Sequence, residues 1–218
     1  MIVPACPETL VASVPLPRRN DQVCVVFGAA PEYLQHPLHA ADNAVFASAM
    51  QPALFRDQSV DVILCLDAGD QPLVDGEELQ RILKPEGTLA VLSCGVDERH
   101  AVAGPLNRLA KAGDLPLFPP HPAGVDALFE RSAFEHAGTG RLPFLYTMRT
   151  ETFWMAVRSH FARSIADSAL RKRVLQRAMR IVRGPLRVGS EGGFKASLTL
   201  PCFLDYYLFR PRPVHMLG

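Results

Sequence analysis

The chain has 218 residues and a mass of 23.9 kDa, enough for one well-cored α/β domain or two very small ones. Hydrophobic residues make up 48% and charged residues 21%, which excludes a disordered chain, a collagen-like chain and a coiled coil. The 23 basic and 22 acidic residues nearly cancel, so no global field recruits nucleic acid or a membrane surface.

Residues 1–21 read as an irregular segment. Pro4, Pro7, Pro15 and Pro17 and the lack of a basic start argue against a secretory signal, and the same prolines break an amphipathic presequence. No apolar run reaches the roughly 20 residues that span a bilayer. The five cysteines (Cys6, Cys24, Cys65, Cys94 and Cys202) are odd in number and scattered, as expected of packing thiols in a reduced, intracellular protein, with the cytoplasm favoured and no membrane partner. His36-x-x-His39 lacks a third ligand nearby, so no metal is expected.

Val23 to Phe27, closed by Gly28, is a short run rich in β-branched residues and predicts a buried strand; Pro31 to Leu34 then starts a turn or short helix. Val60 to Leu66 predicts a second strand. Leu73 to Leu83 has helical apolar spacing with Asp75, Glu77 and Glu78 at its start, and Pro85 and Gly87 stop it. Thr88 to Ser93 predicts a third strand. Continuous apolar strands alternating with a helix imply a mostly parallel sheet covered on both faces, so the fold class is α/β. Residues 104–122 are proline-rich and irregular, Val125 to Phe134 predicts a short helix, and a weakly strand-like stretch runs to about Leu145. Thr150 to Val182 predicts one long or broken helical region, with Trp154, Val157, Phe161 and Ile165 and then Leu170, Val174, Ala178 and Ile181 along one face. Gly184-Pro185 ends it, glycines 189, 192 and 193 form a flexible connector, and Leu198 to Phe209 is expected as an edge strand.

The stretch Ser59–Gly95 resembles the class I S-adenosylmethionine-dependent methyltransferase family (methyltransferase type 11-like). Val60-Asp61 opens a strand, a helix follows, and Leu83-Lys84-Pro85-Glu86-Gly87 is similar to the family's turn into the next strand. Leu54 to Ser59 resembles the approach to that strand, Val25 to Leu34 the second strand and its helix start, Val125 to Glu130 a later helix, and Phe203 to Phe209 the last strand. The resemblance implies a Rossmann-like methyltransferase fold over residues 1–218 as a single domain, with a reduced N-terminal portion and a basic helical insertion at 150–190 before the last strand. It also implies S-adenosylmethionine as the cofactor, and here the sequence departs from the family. With Val23 to Phe27 as the second strand, no glycine-rich turn precedes it, Gly28 stands where the ribose-binding acid is expected, and Ser48 or Ala49 replaces a further acid. A second register takes Val23 to Gly28 as the first strand with a degraded glycine turn, and compresses the second strand before Val60. The first register keeps the spacing and is preferred.

Gly28 and Asp67 are the remnant cofactor-binding positions; Asp67, with Asp70, follows a strand end, where ligands gather in open α/β sheets, although solvated turn carboxylates are common there. Asp61 is expected to fix a loop. No catalytic residue stands out. The sharpest feature is charge: residues 155–190 hold nine basic residues and one acid, Asp167, a net charge of +8 that leaves −7 for the remainder. Eight of the nine are arginines, suited to bidentate contact with carboxylate or phosphate. Arg173, Arg177, Arg180 and Arg183 are the expected partner-binding residues, against the alternative of a solvated face paired with the acidic remainder. Phe153, Trp154 and Phe161 are expected to anchor this helix to the sheet. The leading expectation is a degenerate methyltransferase-like structural or regulatory subunit that docks a protein partner through the arginine-rich helix and binds no cofactor by itself. The alternatives are an active S-adenosylmethionine-dependent enzyme with a rebuilt or partner-completed site, acting on a small molecule or macromolecule, and an RNA-associated accessory factor.

Overall fold

The computed structural model describes residues 14, 22–27, 44–47, 54–66, 76–111, 117–118, 125, 134–188, 193–194 and 197–212. Among the described residues, eight strands and four helices follow one another: β1 (Cys24–Phe27), β2 (Ala44–Ala47), β3 (Val60–Leu66), α1 (Gly76–Ile82), β4 (Leu83–Val96), α2 (Ala103–Lys111), β5 (Phe134–Arg149), α3 (Thr150–Ser164), α4 (Ser168–Leu186), β6 (Arg187–Val188), β7 (Gly193–Phe194) and β8 (Ser197–Pro211). The main sheet has the order β2-β1-β3-β4-β8-β5, and β6 and β7 form a small antiparallel ribbon. Among the described residues no helix is long and apolar enough to cross a membrane.

β1 runs parallel to β2 on one side and to β3 on the other, and β3 runs parallel to β4. All four residues of β1 are buried, as a central parallel strand requires when both its faces are covered. The chain leaves β1 for β2 and then returns past β1 to β3, so the strand order reverses between β1 and β3. That is the place of the first strand in a doubly wound sheet. The second register therefore holds and the preferred one is overturned: Val23 to Phe27 belongs to the first strand, and the short β2 is the second. The physical reason is that a parallel crossover needs only about a dozen residues, and residues 28–43 and 48–59 meet that minimum. The spacing between motifs is the weaker guide.

α1 is too short to hold itself together by hydrogen bonding alone. Its packing residues Leu79 and Ile82 are fully buried, each contributing roughly 1.5–3 kcal/mol against exposure. The predicted helix end at Leu83 and strand start at Thr88 merge into one strand. Leu83 pairs with Val60, Thr88 pairs with Val62, and the residues between form a bulge. Gly87 closes it, because a Cβ there would lie 2.7 Å from Leu83 Cγ and 2.9 Å from the Lys84 carbonyl oxygen.

The long helical region divides in two. The Ile165 N–H bonds to the Phe161 carbonyl at 3.2 Å as α3 ends. Asp167 then caps α4, its Oδ1 accepting the N–H groups of Ala169 at 2.7 Å and Leu170 at 3.0 Å. These bonds hold the Asp167 carboxyl below its usual range, Leu170 contributing most and Ala169 next. α4 continues through Gly184-Pro185 to Leu186, past the predicted stop. Val157, Phe161 and Ala178 are buried as the periodicity predicts, whereas Leu170 is exposed.

β5 begins at Phe134, where the predicted helix from Val125 was to end; Val125 is helical and residues 126–133 lie outside the described set. β8 is an interior strand rather than an edge, and β5 holds the edge. The contacts Thr139 to Tyr206, Arg141 to Asp205 and Thr147 to Thr199 run in opposite order along the two strands, so β5 and β8 are antiparallel.

Residues of the chain group into two compact units. In the unit drawn from 94–120 and 143–203, α2, α3 and α4 enclose a core that includes Leu106, Leu117, Phe153, Val157, Val182 and Leu200. In the unit drawn from 5–93, 121–142 and 204–218, the core includes Phe27, Ile63, Leu79, Leu89, Phe134 and Phe209. His100 starts α2: its Nδ1 accepts the N–H groups of Val102 at 3.3 Å and Ala103 at 3.4 Å. Gly104 lets that helix approach the preceding turn, since a Cβ there would sit 1.9 Å from the Glu98 carbonyl oxygen.

Candidate functional site

Two places have the features of a site. The first is the C-terminal end of β1 and β3, where the strand order reverses and open α/β sheets bind their ligands. Phe27 and Cys65 are partners across the two strands and fully buried. Phe55 meets the Phe27 ring edge-on, with centroids 6.2 Å apart and planes at 86°. At the other end of β3, Arg81 of α1 holds the segment before the strand by donating to the Phe55 carbonyl at 3.1 Å and pairing with Asp57, while its Nε and Nη2 reach Glu78 at 3.1 and 2.9 Å. Burial pushes the thiols of Cys24 and Cys65 up to about 12, which removes both as nucleophiles. Gly28 and Asp67 directly follow these strands in sequence, and with Asp70 and His36-x-x-His39 they lie outside the described residues. Among the described side chains here, Phe27, Phe55 and Cys65, none is a carboxylate. With β2 as the second strand, the residue after its end is Ser48 where the family has an acid.

Asp61 stands at the opposite end of β3 and is structural, as the sequence predicts. One of its oxygens accepts the Val23 N–H at 2.9 Å and the other pairs with Lys84 Nζ at 2.8 Å.

The second place is a groove of about 650 Å³ on α4, closed on one side by Trp154 of α3. Phe153 and Phe161 are the buried anchors of α3, and Trp154 is half-buried at the rim of the core, open to the groove. Leu175 and Met179 line the groove with Trp154; Lys172, Arg180 and Arg183 bring positive charge to it. Of the predicted partner-binding residues, Arg180 and Arg183 line the groove, whereas Arg173 and Arg177 are exposed elsewhere on α4. Arg171 lines it too, but its guanidinium donates to the carbonyls of Ala162 at 3.3 Å and Ile165 at 3.5 Å, closing the end of α3. No ion pair joins Lys172, Arg173, Arg177 or Arg180 to a described carboxylate. Sequence reasoning takes Trp154 as an anchor alone and misses Leu175 and Met179, whose spacing is that of core residues. Among the described residues, no group of three or more His, Cys, Asp and Glu converges as a metal site.

No protein-family profile matches the sequence, and no curated protein matches it. Among solved structures the chain is similar to a candidate type II methyltransferase from Anaeromyxobacter dehalogenans, with 16% identity, a TM-score of 0.61, and coverage of 97% of this chain and 98% of that one. It is also similar to a candidate methyltransferase from Bacillus halodurans, with 12% identity, a TM-score of 0.48, and coverage of 94% and 98%. The first likeness, with the strand order, gives the chain the Rossmann-like fold of class I S-adenosylmethionine-dependent methyltransferases.

Proposed function

We propose that this chain is a non-catalytic, methyltransferase-like subunit that docks a protein partner through α4. The carrying observation is the exposed basic face of α4, where Lys172, Arg177 and Arg180 form no ion pair with a described carboxylate, beside a groove with apolar walls. Loss of cofactor binding is supported by the sequence around the strand ends: one glycine after β1, and Ser48 in place of an acid after β2. The reading treats residues 1–218 as one domain and places the protein in the cytoplasm. Calorimetric titration of the purified chain with S-adenosylmethionine and S-adenosylhomocysteine tests it. No heat of binding is expected, and binding at about micromolar strength or tighter would overturn it.

A second reading, an active methyltransferase with a rebuilt or partner-completed site, draws on the reversal of strand order between β1 and β3, because Gly28 and Asp67 follow those two strands. It expects Asp67→Ala to abolish cofactor affinity.

A further inference from the structure

We infer that the α3–α4 groove receives an acidic amphipathic helix of a partner protein; this rests on the docking reading above and names the partner's chemistry. The α4 residues that line the groove are Ser168, the pairs 171–172, 175–176 and 179–180, and Arg183. That spacing of three and four is a single helical face. At 1.5 Å per residue it runs for about 22 Å, or four turns, which is the contact length of one helix laid along another.

The face is chemically ordered along its length. Leu175 and Met179, facing Trp154, form an apolar middle. Lys172 precedes that middle, and Arg180 and Arg183 follow it. An occupant therefore needs a row of apolar side chains with carboxylates toward both ends, which is the helix-in-groove mode of peptide recognition. Met179 suits such a site because its unbranched thioether adapts to the ridge that enters. The net charge of +8 over residues 155–190 attracts an acidic segment and repels a basic one. A nucleic acid is the poorer fit. Single strands bind on successive aromatic platforms, and here Trp154 is the sole aromatic lining residue, with Leu175 and Met179 offering no stacking plane.

The test is fluorescence anisotropy with the full chain, without cofactor, at about 150 mM salt. The probes are a labelled peptide of about 18 residues with leucines at helical spacing and flanking glutamates, a scrambled peptide of the same composition, and a single-stranded RNA of similar length. The ordered peptide is expected to bind at least about tenfold tighter than either competitor. Met179→Asp and Arg180→Glu should each weaken it about tenfold with an unchanged thermal midpoint, and Arg173→Glu, off the lining face, should change it little. If Met179→Asp lowers the midpoint, Arg180→Glu and Arg173→Glu decide. Equal binding of the scrambled peptide, an equal loss from Arg173→Glu, tighter binding of RNA, or no binding at about 100 µM each overturns the inference. Cofactor binding in the calorimeter would overturn the non-catalytic reading and leave this result standing, so the two failures are distinct.

Discussion

Asp61 holds Lys84 at 2.8 Å through one carboxylate oxygen while the other accepts the Val23 N–H at 2.9 Å, so one side chain ties together the starts of β1, β3 and β4. The resemblance to methyltransferases places both residues in its most similar stretch, and their job is to fix the bulge that lets β4 leave α1 directly. Asp61→Ala removes the acceptor of the Val23 N–H and the ion pair to Lys84, and is expected to cost about 1–3 kcal/mol in urea unfolding with an unchanged slope. Lys84→Met should cost less, under about 1 kcal/mol, because the N–H bond survives.

Arg141 makes a two-pronged contact with Asp205, Nε to Oδ1 at 2.6 Å and Nη2 to Oδ2 at 2.8 Å. Asp205 is buried and Arg141 is half-exposed. Removing the arginine leaves a buried carboxylate facing the sheet edge. Arg141→Ala is expected to destabilise the chain by about 1–3 kcal/mol, with Arg141→Lys recovering part of the loss because an ammonium cannot make both contacts. Paired thermal and urea melts measure the difference.

His100 predicts a pH dependence. Burial holds its pKa below the ordinary 6.5, against a smaller upward pull from Asp97. The folded chain therefore takes the proton less readily than the unfolded one. The cap is intact above pH 6.5, and its contribution is lost as pH falls through 6.5 toward the lower folded value, when Nδ1 gains a proton facing two N–H groups. His100→Asn keeps an acceptor and cannot titrate. Between about pH 7 and 5 the variant should lose less stability than the parent; identical slopes would refute the assignment.

With their thiols pushed up to about 12, Cys24 and Cys65 should resist iodoacetamide at about pH 8 in the folded protein. Labelling read by mass spectrometry after a urea pulse should follow the unfolding transition at both sites. Rapid labelling of either in native buffer would contradict their burial.

Much of this fold is legible in the sequence wherever a segment is buried on both faces. Val60 to Leu66 and Val23 to Phe27 are continuous apolar runs, and they are strands. Sheet order is different, because it depends on which way each crossover turns, and no local pattern encodes that; hence motif spacing alone misplaces Val23 to Phe27 in the sheet. β2 has four residues and no flanking signal. The first half of β5, with Glu135, His136, Thr139 and Arg141, reads as polar because an edge strand is wetted on one face. The basic face of α4 is legible from charge alone. Its groove is not, since Leu175 and Met179 share the spacing of core residues and only the packing of α3 separates the two roles. The positions Gly28 and Asp67 lie outside the described residues and stay expectations.

β8 enters the sheet between two strands made long before it, and more than a hundred residues separate the end of β4 from the end of β8. On the ribosome, β5 emerges with no neighbour to pair with, and it waits through the synthesis of α3 and α4. Closing so long a loop costs entropy that is recovered only when the whole seam zips. Until residues 197–211 arrive, an apolar flank of β4 and both sides of β5 stand open to other chains, so a ribosome that stalls within α4 would release a species prone to aggregation.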